Sequence, residues 1–152
     1  MPESRLQSLE HKAEEHGPTR MSELQLMCRS SQADDRLLAL VLMRRECDAG
    51  TIDPQFLKLA TDLLPDPDND IRWQAAVVIG EFIDSEPDRV WDVIVAHADS
   101  ADVDLRTAVA TVLLEHLLNR HGARFRPLVD QLAHRSPQFA EMTRARSNFA
   151  DE

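Results

Sequence analysis

The chain has 152 residues, 43% of them hydrophobic, with four glycines, no tyrosine and a net charge of −10. That length suits one domain burying roughly two-thirds of its unfolded surface, and a balance dominated by Ala, Leu, Glu, Asp and Arg points to an all-α protein without a sheet. The acidic total argues against a duplex-phosphate partner, and the N-terminus lacks the apolar core of a secretory leader. No apolar run approaches the roughly 18 residues of a membrane helix, so a cytoplasmic location is expected.

In chain order, Leu6, Leu9 and Ala13 share one face of a polar helix over 3–16, which Gly17 and Pro18 end. So narrow a stripe suits the capping helix that closes the exposed apolar end of a repeat array. Thr19 opens a helix to Arg29, Ser30 to Asp34 turns, and Asp35 to Cys47 completes a first pair, 19–47. Gly50 supplies a helix stop, and Asp53 with Pro54 reads as an N-cap followed by proline at the first helical position. Pro54 to Leu64 and Asn69 to Ile83 form a second pair, 54–83. Ser85 and Asp88 have the spacing of an acidic capping box, and Glu86 to Ala98 with Val103 to Leu118 forms a third pair, 86–118. Asn119 to Ala123 stops that helix. A C-terminal cap over 124–147 and a frayed tail complete the single domain expected for 1–152.

Charge is unevenly distributed. Residues 62–104 hold twelve acids against Arg72 and Arg89, the whole net −10, while 105–152 leans basic with seven arginines against five acids. Many of the acids stand where helix N-termini accept anions, so capping is their simplest role. Cys28 and Cys47 stand apart without metal-ligand spacing and read as buried or half-buried thiols.

The most informative stretch runs from Asp66 to Ile83, an acidic turn followed by an apolar helix with one arginine near its start. Thirty-four residues on, Asp102, Asp104, Leu105, Arg106, Ala110 and Leu113 stand for Asp68, Asp70, Ile71, Arg72, Ala76 and Ile79. Asp34, Arg36, Ala39, Leu40 and Met43 form a looser copy upstream. One supersecondary unit per period of this size is the signature of a helical solenoid. The pattern of acidic turn, then apolar-Arg-x-x-Ala-Ala-x-x-Leu/Ile, resembles the HEAT-repeat family. The resemblance implies a short right-handed α-solenoid of three helix pairs between capping helices, with Asp66, Arg72, Asp102 and Arg106 as a structural ladder between repeats. Ser100 replaces the acid equivalent to Asp66, and Ala140 stands where Arg72 and Arg106 stand, so the C-terminal end departs from the pattern.

Comparing the repeats with one another separates core from surface. Leu57, Trp91 and Phe125 occupy one position of successive first helices and read as core. Trp73 has Leu37 and Thr107 as its equivalents, a set without common chemistry, and a helical wheel groups it with Val77 and Gly80, away from the apolar stripes. The expected binding surface is therefore the concave row of second helices: Trp73, Gln74, Val77 and Glu81 at its centre, Leu37 and Val41 with Arg44 and Arg45 on one side, Thr107, Thr111, Leu114 and Glu115 on the other. A large aromatic on a free helix face is the usual make-up of an interface anchor.

No Gly-rich phosphate loop, nucleophile–base grouping or metal spacing is present, and His116 and His121 do not share a helical face, so no catalytic residue, cofactor or metal is expected. The reading is a non-catalytic module that binds another protein with a basic surface, in its specific form an inhibitor or immunity-type protein steered by charge. The alternative is a DNA-binding protein or a DNA glycosylase for alkylated bases, because certain of those enzymes are built from HEAT-like helices and carry tryptophans on the concave face. Arg120, Arg124, Arg126, Arg135, Arg144 and Arg146 would have to supply its basic track, against the −10 of the central repeats.

Overall fold

The computed structural model describes residues 4–150, with side chains to Arg144, and the described chain is all helical. Helices α1 (Arg5–Glu15), α2 (Met21–Cys28), α3 (Ala33–Asp48), α4 (Pro54–Leu63), α5 (Asn69–Gly80), α6 (Pro87–His97), α7 (Val103–Ala108), α8 (Glu115–Arg135) and α9 (Pro137–Ala150) follow in order, with a π-helical segment at Val109–Leu114 joining α7 to α8. The expected tail from Ser147 is helical to Ala150, and the last two residues lie outside the described chain. Packing divides the chain into two compact units, the first ending at Val78 and the second beginning at Ile79 in the last turn of α5.

Local chemistry accounts for several of the helix ends. Ser4 and Gln7 form a reciprocal capping box at the start of α1, hydroxyl accepting from the Gln7 amide at 3.1 Å and Gln7 Oε1 from the Ser4 amide at 3.0 Å. Asp53 accepts from the Gln55 amide with Pro54 in the first turn of α4. After α3, Gly50 adopts φ +100, while its amide reaches the Cys47 carbonyl and that of Thr51 the Glu46 carbonyl. This paired arrangement satisfies two terminal carbonyls and needs a residue that tolerates positive φ. Two expected caps are different. Thr19 does not cap α2, whose N-cap is Arg20. The cap of α6 is Glu86, held by its backbone amide on the Phe82 carbonyl at 2.7 Å, so Ser85 and Asp88 form no capping box. Pro87 fixes the entry to α6 and makes the residue before it the cap.

In the first unit, α1 and α2 both pack on α3, and α2 also meets α4. The run Leu37-Leu38-Ala39-Leu40-Val41-Leu42-Met43 is buried at every position, a helix covered on more than one side. In the second unit, α6 and α9 pack on α8 and on the π segment. Trp91 bridges them: its ring lies 5.8 Å from Phe125 and 6.4 Å, edge-on, from Phe139. Leu57 and Phe125 are buried as expected, whereas Trp91 is half-buried.

The expected continuous helix over 103–118 contains the π segment instead. Thr107 and Thr111 donate their hydroxyls to the Val103 and Thr107 carbonyls, both at 2.8 Å, competing with the regular ladder where it widens. The expected stop at Asn119 to Ala123 appears as a break at His121 (φ −134, ψ 35), whose ring donates to the Ile83 carbonyl at 3.0 Å.

Candidate functional site

Three turns share one construction. Ser30 Oγ, Asp66 Oδ1 and Ser100 Oγ each accept from the amide two residues on, Gln32, Asp68 and Asp102, at 3.0–3.2 Å. The carbonyls of the same three residues accept from an arginine six residues on: Arg36 at 2.9 Å, Arg72 at 3.0 Å and Arg106 at 2.5 Å. An arginine one turn into the helix thus reaches back over a turn whose carbonyl has no helical partner, which is why the spacing recurs. In the first unit this device is linked to the next copy: Arg36 also donates to Asp66 through Nε at 2.9 Å and Nη2 at 3.3 Å, an ion pair largely removed from water. Of the expected ladder, Asp66 takes its side-chain ion pair from Arg36 and only its carbonyl from Arg72, while Asp102 caps α7 on the Leu105 amide.

The row of expected binding residues is only partly a surface. Trp73, Val77 and Glu81 are half-buried, and Thr107 and Thr111 are exposed, consistent with a helix face left outside the apolar stripes. Leu37, Val41 and Leu114 are not surface residues: their relative exposures are 0, 3 and 0%. Gln74 is likewise buried, accepting from Arg44 Nη1 at 2.9 Å. The physical reason for the correction at Leu37 and Val41 is α1, which lies along α3 on the stripe that carries Asp34, Leu37, Val41, Arg44 and Asp48. The expected rim residues hold it there. Arg44 pairs with Glu10 at 3.2 Å, and Arg45 donates to the Ala13 carbonyl and, at 3.2 Å, to that of His16. Glu115 is half-buried in the second unit, where Leu114 faces the packed side of the π segment.

The centre of charge in the first unit is a cluster that the sequence reading passed over. Arg5 at the start of α1 donates to Asp34 (2.7 Å), Asp68 (2.8 Å) and Asp70 (3.2 Å). Hydrogen bonds from the guanidinium to Asp34 and then Asp68 push the Arg5 pKa further up. Partial burial would raise the Asp68 carboxyl, but Arg5 and the amides of Ile71 and Asp70 outweigh it, so the group titrates below the usual carboxylate range. In the second unit, Arg120 grips Asp84 through Nε (2.9 Å) and Nη2 (2.7 Å), and Arg124 pairs with Asp88 while lying 5.0 Å over the Phe125 ring. Two cations named for a basic track are thus already spent on carboxylates 36 residues away.

No family model, curated protein or solved structure matches this chain. Among the described residues no group of three or more His, Cys, Asp or Glu side chains is placed to hold a metal ion, and no helix is long and apolar enough to cross a membrane. Cys47 is buried and Cys28 half-buried, and burial pushes the Cys28 thiol up to about 11, with the Asp62 charge adding to it.

Proposed function

We propose that the chain is a non-catalytic protein-binding module built as a short HEAT-like α-solenoid, and that it takes a partner with a basic surface on the face presented by α5. The solenoid reading is supported by the three-fold recurrence of one turn device, Ser30–Arg36, Asp66–Arg72 and Ser100–Arg106, each opening the second helix of a pair. The observation that carries the function is Trp73. Trp73 and Val77 are half-buried on a helix whose other apolar positions, Ile71, Ala75, Ala76, Val78 and Ile79, are fully buried. Half-buried aromatics of this kind are common interface anchors, and such anchors dominate interface energies.

The surrounding charge defines the partner. Residues 62–104 hold twelve acids against two arginines, and although Asp66, Asp68, Asp70, Asp84 and Asp88 are paired with Arg36, Arg5, Arg120 and Arg124 from outside the segment, the chain keeps an overall −10 that favours encounter with a cationic protein over nucleic acid. An inhibitor or immunity-type protein for a basic enzyme is the version of this function that makes most use of steering.

The test is affinity capture from native extract with the wild-type chain and with Trp73→Ala, followed by association kinetics on the protein retained. The reading expects a cationic partner lost by the variant, at least tenfold weaker binding, a near-unchanged Tm, and an association rate that falls as salt rises, because screening acts over about 10 Å at 0.1 M. Equal capture by both proteins would remove Trp73 from the interface.

A further inference from the structure

Gly80, the last residue of α5, is a glycine for which the fold itself has no use. Its φ is not positive, so it is not a left-handed cap of the kind Gly50 provides. Nor does a neighbour press against it: a Cβ at this position would lie 3.8 Å from Val112 Cγ1, 3.9 Å from Leu113 Cδ2 and 4.0 Å from the Val112 carbonyl, which is ordinary contact. Glycine is a poor helix residue, and alanine would fit here. What the missing side chain leaves open is a cleft of about 270 Å³, lined by Gly80, Ile83, Asp84, His116, Asn119 and Arg120. All six residues belong to the second unit.

The cleft is smaller than the roughly 300–1,000 Å³ of small-molecule sites and suits one long side chain. Gly80 and the buried Ile83 give it a carbon-rich part, and Asp84, His116, Asn119 and Arg120 are exposed around it. Asp84 accepts from Arg120 once on each oxygen, Nε at 2.9 Å and Nη2 at 2.7 Å, which leaves each oxygen a second lone pair. The two side chains of that pair are 62% and 63% exposed, so the pair contributes little to stability and rearranges at small cost. The connector 81–88, which supplies one wall, carries four acids, Glu81, Asp84, Glu86 and Asp88, and the α8 arginines meet two of them. We infer that this cleft is the subsite for an arginine side chain of the partner protein. The aliphatic stem lies over Gly80 and Ile83, and the guanidinium donates to the remaining lone pairs of Asp84 and to the Asn119 amide oxygen. Lysine fits less well, because a compact ammonium lacks the planar fork that serves two acceptors at once. Arginine is also among the residues that most often anchor an interface by filling a pocket. This inference rests on the protein-binding reading above and names one side chain of the basic partner.

The test is an NMR titration of the full chain with three capped tripeptides, glycine on either side of arginine, lysine or glutamate. The arginine tripeptide is expected to shift the backbone amides of Gly80, Ile83 and Asp84 and the side-chain amide of Asn119, with an affinity about fivefold or more above that of the lysine tripeptide. Gly80→Leu, which fills the cleft, and Asp84→Asn, which removes its carboxylate, should each weaken the arginine tripeptide by about fivefold or more, and Asp84→Asn should leave Tm nearly unchanged because its ion pair is exposed. If Gly80→Leu does not fold, Asn119→Ala, at an exposed position, takes its place with the same expectation. Silence of these amides, an equal response to arginine and lysine, or arginine binding untouched by the variants would overturn the subsite. Capture that depends on Trp73 is measured separately and survives each of those results, while a cleft response that persists in Trp73→Ala survives the loss of Trp73 as an anchor, so the two readings fall separately.

Discussion

Removing the Asp66 carboxylate is the sharpest test of the repeated turn. Asp66 accepts Arg36 Nε and Nη2 and the Asp68 amide, and its side chain is 8% exposed against 17% for Arg36. In Asp66→Ala the guanidinium loses its counter-charge where water reaches it poorly. Breaking a buried pair on one side costs about 3–5 kcal/mol. The Ser30 carbonyl still accepts from Arg36, which places this loss at the lower end, and the lost turn hydrogen bond to Asp68 adds about 1 kcal/mol. The sum is about 4 kcal/mol, a Tm drop of roughly 8–16 °C for a chain of this size. Arg36→Met should cost about 2–3 kcal/mol by stranding a carboxylate that retains the Asp68 amide. The double variant leaves neither charge behind, so it should be more stable than the sum of the singles by about 2 kcal/mol. Urea unfolding of the four proteins measures that coupling. Additivity within about 0.5 kcal/mol would refute the argument and reduce Asp66 to a turn former.

Three further outcomes follow from titration and backbone geometry. Asp68 is held below the usual carboxylate range in the folded chain, so its stabilisation is complete above about pH 4 and is lost as pH falls through the folded value; Asp68→Asn should flatten the acid limb of a Tm–pH curve, and an unchanged limb would count against the Arg5 cluster. Burial lowers the His97 pKa, so the chain favours neutral imidazole and should lose stability as pH drops below about 6.5; His97→Gln should remove part of that slope in urea midpoints measured across this range. Gly50 has φ +100 with open space around its Cα, so Gly50→Ala should cost about 1 kcal/mol by backbone strain alone, and a stabilised variant would contradict the turn geometry after α3.

What the sequence determined by itself is what local physics decides. Apolar residues at helical spacing placed the helices, Asp53-Pro54 and Gly50 marked two of their ends, and the wheel of α5 separated the buried Ile71, Ala75 and Val78 from the half-buried Trp73 and Val77. The recurrence of Arg36, Arg72 and Arg106 was equally legible, but as a ladder between repeats; that each arginine closes on the carbonyl six residues before it is seen only in the structure. Tertiary structure decided whatever depends on closing a longer loop. A stripe of Leu6, Leu9 and Ala13 says that α1 must lie on something, but not that it lies along α3 over Leu37 and Val41; that choice is made by Arg5 meeting Asp34, Asp68 and Asp70, and Arg45 meeting the last turn of α1, across 29 to 65 residues. The one sequence sign of it was the unbroken apolar run from Leu37 to Met43, which needs cover on more sides than one partner helix provides. The pairing of Asp66 with Arg36 was hidden for the same reason: spacing along the chain names the residues that can reach a turn, and only packing chooses which of them arrives.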